Sequence, residues 1–386
     1  MHLPARCDGG PHQPIAGGGL WQAEWTIDQP AATLWYHPHP HGETEGQVTR
    51  GLAGLFYLED GTNTDLPHQY GIDDIPVILQ DRTFDSRGRF VQRGRAVTGL
   101  LGDKILANGT YNPHLPITTG RVRLRILNAS TARIYHLAFA DDREFALIAT
   151  DSGFLPSPTR MHRLLLSPAE RAKILVSLRP GEQPVLRSVP WDLNMIGVLT
   201  NGAGGNDQLD LLQLRAENAL AEGVRVPDRL ETATAVGLDH VAVRRSFQLD
   251  GREINGQQME MSRIDTVVGA VTTELWTVRN THNQPHNFHV HRVAFQIVPP
   301  GATGADPRLG WKDTVLLATG DTVQLMITFP PYQDPLTPYM YHCHLMWHED
   351  VGMMGQFTVV NPDQVDSAPR SLETDHDHMA AGHDHS

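Results

Sequence analysis

The sequence predicts an all-β protein made of tandem β-sandwich or barrel domains. Its 386 residues include 35 glycines and 27 prolines, a density that suits many turns between short strands. Short apolar and alternating runs recur at regular intervals, bounded by Gly, Pro, Asn and Asp. Apart from a short helical turn expected after Cys343, no long segment of 3.6-residue period stands out.

Taken in order, residues 1–65 hold three predicted strands, "LWQAEWTIDQ", "ATLWYHPHPH" and "GLAGLFYLED". A polar, acidic stretch at 61–75 reads as a linker. Residues 66–220 form a second unit, with strands in "IPVILQDRTF", "RVRLRILNAS", "REFALIATD", "RLLLSPAERAKILVSL" and "LDLLQLRAE". Charged residues at 217–245 suggest a second linker. Residues 240–361 form a third unit, with "SFQLDGREING", "TTELWTVRN", "NFHVHRVAFQIV", "DTVQLMITF", "PYMYHCHL" and "MGQFTVV". Residues 362–386 lack a core-forming pattern and are expected to be disordered. There His376, His378, His383 and His385 alternate with aspartates, either as a solvated tail or as a weak metal scavenger.

The formal charge of −13 argues against a nucleic-acid partner. No apolar run approaches the ~20 residues of a membrane span, and no signal peptide is visible at the start. Two cysteines, Cys7 and Cys343, cannot make a disulfide framework. The compositional oddity is 21 histidines, the commonest metal-binding side chain.

These histidines cluster. In "YHCHLMWHEDVGMM", strand alternation points Cys343 one way and His342 and His344 the other. His348 follows five residues after the cysteine, and Met353 five after that. A thiolate, an imidazole and a weak thioether belong to a blue-copper electron-transfer site, which takes one further histidine. "HNFHVH" supplies it: His289 and His291 share a face, and His286 can take the other. In "WYHPHPHG", His37 and His39 again share a face, while Pro40 and Gly42 bend the chain at His41. A buried cysteine among surface histidines is the plainer alternative, and three such motifs in one chain weigh against it.

The three stretches resemble three of the four copper motifs of multicopper oxidases, H-x-H, H-x-x-H-x-H and H-C-H-x-x-x-H-x-x-x-x-M. "QVTRGLAGLFYLED", "ILANGTYNPHL", "VRLRILNAS", "LLLSPAERAKILV" and "GWKDTVLLATGDTVQL" extend the resemblance to the bacterial laccase and cuprous-oxidase branch, over residues 1–361. It implies tandem cupredoxin-like Greek-key domains, the first partial, the second without copper ligands. It implies a type 1 copper on His286, Cys343, His348 and Met353. Paired type 3 coppers would take His37, His39, His291, His342 and His344, and a type 2 copper His289. Asp8 resembles an acid beside the cluster and Glu349 a proton-relay acid. Their plainer readings are a turn aspartate and a solvated loop glutamate.

The resemblance implies oxidation of phenols, aromatic amines or Cu(I) coupled to reduction of dioxygen to water. It also implies a place outside the cytoplasm, periplasmic or secreted. Scattered methionines lean toward laccase-like activity, and the His/Asp tail toward copper resistance. The family's fourth motif, H-x-H-G, would precede Met1, so the chain reads as truncated there; neither His2 nor His12 has that spacing. An incomplete cluster leaves a second expectation: a copper-binding or electron-transfer protein with little oxidase activity.

Overall fold

The computed structural model describes residues 1–92 and 96–372. Residues 373–386, with His376, His378, His383 and His385, lie outside them. The expectation of disorder from 362 onward does not hold for 362–372, where Val365, Ala368 and Leu372 pack against Ile264, Val267 and Val360 and the Leu372 N–H donates to the Ser262 carbonyl. The expected fold class holds: strands carry the chain, and the α-helices among the described residues have five or six residues each. None is long and apolar enough to cross a membrane.

Near the start, Ala32–Tyr36 and Gly54–Leu58 form a two-stranded antiparallel sheet. The predicted strand "LWQAEWTIDQ" is not one; residues 20–29 run as irregular chain. Alternation alone does not make a strand, because backbone donors and acceptors need a neighbour to bond. Ala23 and Trp25 instead pack against the core of the last sandwich, and Leu20 stays exposed.

The middle of the chain forms a seven-stranded and a five-stranded sheet around one apolar core. Asp74–Arg82 pairs in parallel with Arg121–Asn128, which pairs antiparallel with Arg171–Ser177. The run "LLLSPAERAKILV" divides between the sheets: Leu164–Leu166 lies in one and Arg171–Ser177 in the other. Ala169, with φ 73°, makes the corner between them. The linker stretches are narrower than predicted, since strands reach Ala221 on one side and resume at Val241 on the other.

The last part forms two five-stranded sheets. Between them Trp276 is fully buried among Phe247, Phe288, Phe329, Tyr341 and Phe357. Each such ring contributes about 1.5–3 kcal/mol by leaving water. One sheet runs Thr266–Gly269, Met354–Val360, Asp334–His342, His286–Val290, Thr314–Leu317. Its register sets His289 directly opposite His342.

Buried charges tie these parts together. The Arg171 guanidinium donates to both Asp313 carboxylate oxygens at 2.7 and 2.6 Å and to the carbonyls of Thr33, Ala169 and Asp151. Lys312 sits 3.0 Å from both Asp151 and Glu170. Such pairs cost desolvation and hold only when every donor is satisfied.

Candidate metal centres

Cys343 follows the end of the strand Asp334–His342, and His348 lies on the short helix Met346–Asp350. Gly352, with φ 102°, turns the chain back. The Met353 N–H then donates to the His348 carbonyl at 2.8 Å, and the Cys343 N–H to the Met353 carbonyl at 3.1 Å. His286 opens the adjacent strand. Cys343 Sγ lies 3.5 Å from His286 Nδ1 and 3.7 Å from His348 Nδ1, and those two nitrogens are 3.2 Å apart. Met353 is fully buried in the same core. Asn287 Oδ1 accepts from the His344 N–H and from the thiol, while Asn287 Nδ2 reaches Pro168 of the middle sandwich at 3.0 Å.

The other histidines gather on the opposite face of the same sheet. His342 Nε2 lies 3.3 Å from His39 Nε2 and 3.1 Å from His291 Nε2. His37 Nε2 faces His344 Nε2 at 3.2 Å. The His289 ring stands 5.2–5.3 Å from those of His291, His342 and His344. Every predicted histidine is therefore in one of the two groups. His41 is exposed, while His2 bonds Gln29 through its N–H and His12 bonds Gln356.

Most of the ring nitrogens not facing the group meet acceptors, while His39 Nδ1 and His344 Nδ1 are buried without a hydrogen-bond partner. His291 Nδ1 meets Asp8 Oδ2 at 2.7 Å, and His37 Nδ1 meets the Pro38 carbonyl at 2.8 Å. His289 Nδ1 meets the Asp313 carbonyl and Thr314 Oγ1, both at 2.9 Å. His342 Nδ1 lies 3.2 Å from both the Cys343 carbonyl and Glu349 Oε2. His39 Nδ1 lies 3.6 Å from Glu349 Oε1. An imidazole that donates through Nδ1–H leaves Nε2 a bare lone pair. Bare nitrogens about 3 Å apart repel one another unless a cation sits among them. At the thiolate the nitrogens are exchanged. His286 Nε2 faces His282 Nδ1 at 3.3 Å, and Nδ1 turns to the sulfur.

Burial keeps His37, His39, His286, His289, His344 and His348 neutral and ready to bind. It lowers His37 and His289 to about 4 and His348 to about 3, and takes His39, His286 and His344 well below the ordinary range. Burial also pushes the Cys343 thiol up to about 12, so a bound metal would displace its proton. For Glu349 burial works upward, but the facing imidazoles of His39 and His342 hold it well below the usual carboxylate value. Asp8 behaves likewise beside His291. The donor types fit copper: thiolate, imidazole and thioether in one place, and imidazole alone in the other.

Asp313, Arg171, Asn287 and His282 were not singled out from sequence. Asp313 lies within "GWKDTVLLATGDTVQL", which drew notice only as part of a resemblance. His282 stands four residues before His286, a spacing open to inspection.

Two multicopper oxidase family models match, over residues 2–63 and 227–363. A multicopper oxidase of Staphylococcus epidermidis is 31% identical over 94% of this chain and 75% of its own length. The cell division protein FtsP of Sodalis glossinidius is 34% identical over 95% and 78%. Among solved structures, the laccase-like multicopper oxidase CueO of an Ochrobactrum species superposes with a TM-score of 0.83. It is 32% identical over 93% of this chain and 84% of that one. A laccase from Pediococcus acidilactici gives 0.82, at 34% identity over 94% and 76%.

Proposed function

This chain belongs to the multicopper oxidase family, and from that premise we propose that it is a copper-dependent oxidoreductase that takes single electrons from a small reductant, a phenol, aromatic amine or Cu(I), and delivers them to dioxygen. Relatives named as cell division proteins match at similar identity, so membership alone does not assign the reaction. The observation that carries it is the tripeptide His342-Cys343-His344. Its cysteine lies among His286 and His348, while its two histidines lie in the second group.

His286, Cys343, His348 and Met353 would hold one copper, and His37, His39, His289, His291, His342 and His344 would hold the others. When bound, copper supplies one-electron exchange at the thiolate and the four-electron reduction of dioxygen among the histidines. The chain supplies the rest. The peptide bonds flanking Cys343 join the two sites covalently. Asp8 fixes the His291 ring through Nδ1, and Asp313 with Thr314 does the same for His289. Asp8 Oδ2 and Glu349 Oε2, buried against His291 and His342, are where we place protons bound for the reduced oxygen. The family reading also implies a location outside the cytoplasm.

A second reading rests on the uneven histidine geometry. Three Nε2 atoms converge at His39, His291 and His342, but His37 and His344 make only a pair. Fewer donors would leave an electron-transfer protein with little oxidase activity. Copper per chain, the visible spectrum and dioxygen uptake with hydroquinone separate the readings. An intense thiolate band with uptake that His291→Ala removes supports the oxidase. The band without uptake favours the electron carrier, and no band in the copper-loaded chain sinks both.

A further inference from the structure

We propose that Asp350 is a positioning residue for the histidine group: by bonding the first turn of the helix Thr44–Thr49, it fixes where His39 stands against His291 and His342. The proposal rests on the copper reading above and deepens it.

His39 and His342 bring their Nε2 atoms to 3.3 Å although 303 positions separate them. A ligand ring is aimed either by an acceptor on its other nitrogen or by the main chain that carries it. His291 has Asp8 as acceptor, and His289 has the Asp313 carbonyl. His39 has none within reach: its Nδ1 is buried without a hydrogen-bond partner, and Glu349 Oε1 stands 3.6 Å away. The main chain around His39 must therefore do the aiming.

That main chain is a turn leading into a helix. His39 lies between Pro38 and Pro40, whose rings restrict φ. The Pro40 carbonyl accepts from the Glu43 N–H and from Thr44 Oγ1, both at 3.2 Å. Thr44–Thr49 follows at once as a helix of six residues. The first N–H groups of a helix find no partner within it, and Glu43, at the N-cap position, makes no side-chain capping bond. The cap comes from the far end of the chain. Asp350 Oδ1 accepts from the Thr44 N–H at 2.8 Å, and Oδ2 accepts from the Glu45 N–H at 2.9 Å. Thr44 and Glu45 are at most 1% exposed, so little water competes for these bonds. A carboxylate also holds an N–H more tightly than a neutral acceptor does.

Asp350 closes the short helix Met346–Asp350, which also carries His348 and Glu349. Three consecutive residues thus meet three demands. His348 stands at the thiolate, Glu349 faces His342 Nδ1 at 3.2 Å, and Asp350 grips the helix that follows His39. The grip ties the turn at 40–44 to the sandwich that carries His342. Without it that turn can shift, and His39 shifts with it.

The test uses the full chain and separates capping from positioning. Asp350→Ala leaves two buried N–H groups unpaired. It should unfold at lower urea and bind copper at the histidines about tenfold more weakly, the scale of one lost hydrogen bond. The thiolate band should keep its energy and intensity. Copper per chain against a graded copper chelator, read beside the visible band, measures each site. Adding Glu43→Ser to Asp350→Ala gives the helix a cap from its own segment. The double variant should regain most of the stability but not the histidine copper, because the new cap does not reach the last sandwich. In the metal-free chain, the His39 ring resonances should move in both variants while those of His286 stay. Parental copper binding at the histidines in Asp350→Ala, or its return together with stability in the double variant, overturns the proposal. So do His39 resonances that keep their parental positions in both. A parent whose histidines take up no copper overturns the copper reading instead, and the His39 resonances then decide the positioning.

Discussion

The thiolate group draws every donor from residues 286–353, within one sheet and the helical turn beside it. The histidine group draws from residues 37–39, 289–291 and 342–344, with Asp8 and Asp313 behind them. The first site is local and dry: His286, Cys343, His348 and Met353 are at most 1% exposed. The second is assembled where separate parts of the chain meet, and His37 and His289 are only partly buried. The first site can form wherever its own sandwich folds. The second also needs the Arg171 contacts that hold Thr33, Asp151 and Asp313 against one another.

The sharpest break between the sites is Cys343→Ser. A hydroxyl is a poor substitute for a soft thiolate, so the intense visible band should vanish while copper held by the histidines persists. Loss of the band in His291→Ala as well would mean that the sites are not separable, as counted by copper per chain and the spectrum.

A smaller effect is expected at the seam. Arg171→Met leaves the Asp313 carboxylate buried without its partner, and removing one member of a buried pair costs about 3–5 kcal/mol. Urea unfolding should show that loss. Copper bound by the histidines should weaken more than copper at the thiolate, because the Asp313 carboxylate that Arg171 holds lies 3.6 Å from His289 Nδ1. Equal weakening at both sites would break the contrast. The smallest effect is Met353→Leu, which should keep copper at the thiolate and raise its potential modestly, since a thioether favours Cu(II) over an alkyl group. Redox titration of the visible band checks this, and a lowered potential would count against Met353 as a ligand.

Local periodicity made the thiolate site readable. Period two on "YHCHL" and "HNFHVH" was enough to separate Cys343 and His286 from His342, His344, His289 and His291. The same rule misled at "LWQAEWTIDQ", where alternation is present but Ala23 and Trp25 pack on another sandwich instead of pairing as a strand. Arg171 and Asp313 escaped because 142 positions separate them, and no short-range pattern encodes a contact made by folding. Glu349 was picked out by resemblance, and the structure sets it within 3.2 Å of His342 Nδ1. That distance comes from the helix Met346–Asp350 folding back, which spacing alone does not give.

The cross-strand partnership of His289 with His342 carries a rule of parity for inheritance. Side chains on a strand alternate, so a slip of one residue sends each to the opposite face, whereas a slip of two restores the faces. A one-residue insertion between His286 and His289, or beside Cys343, would deliver imidazoles to the sulfur's side and sulfur to the imidazoles' side. Both centres would fail together. Neither can drift by single steps without the other, so length changes in these two strands should be confined to their outer ends, while the loops between them stay free to lengthen.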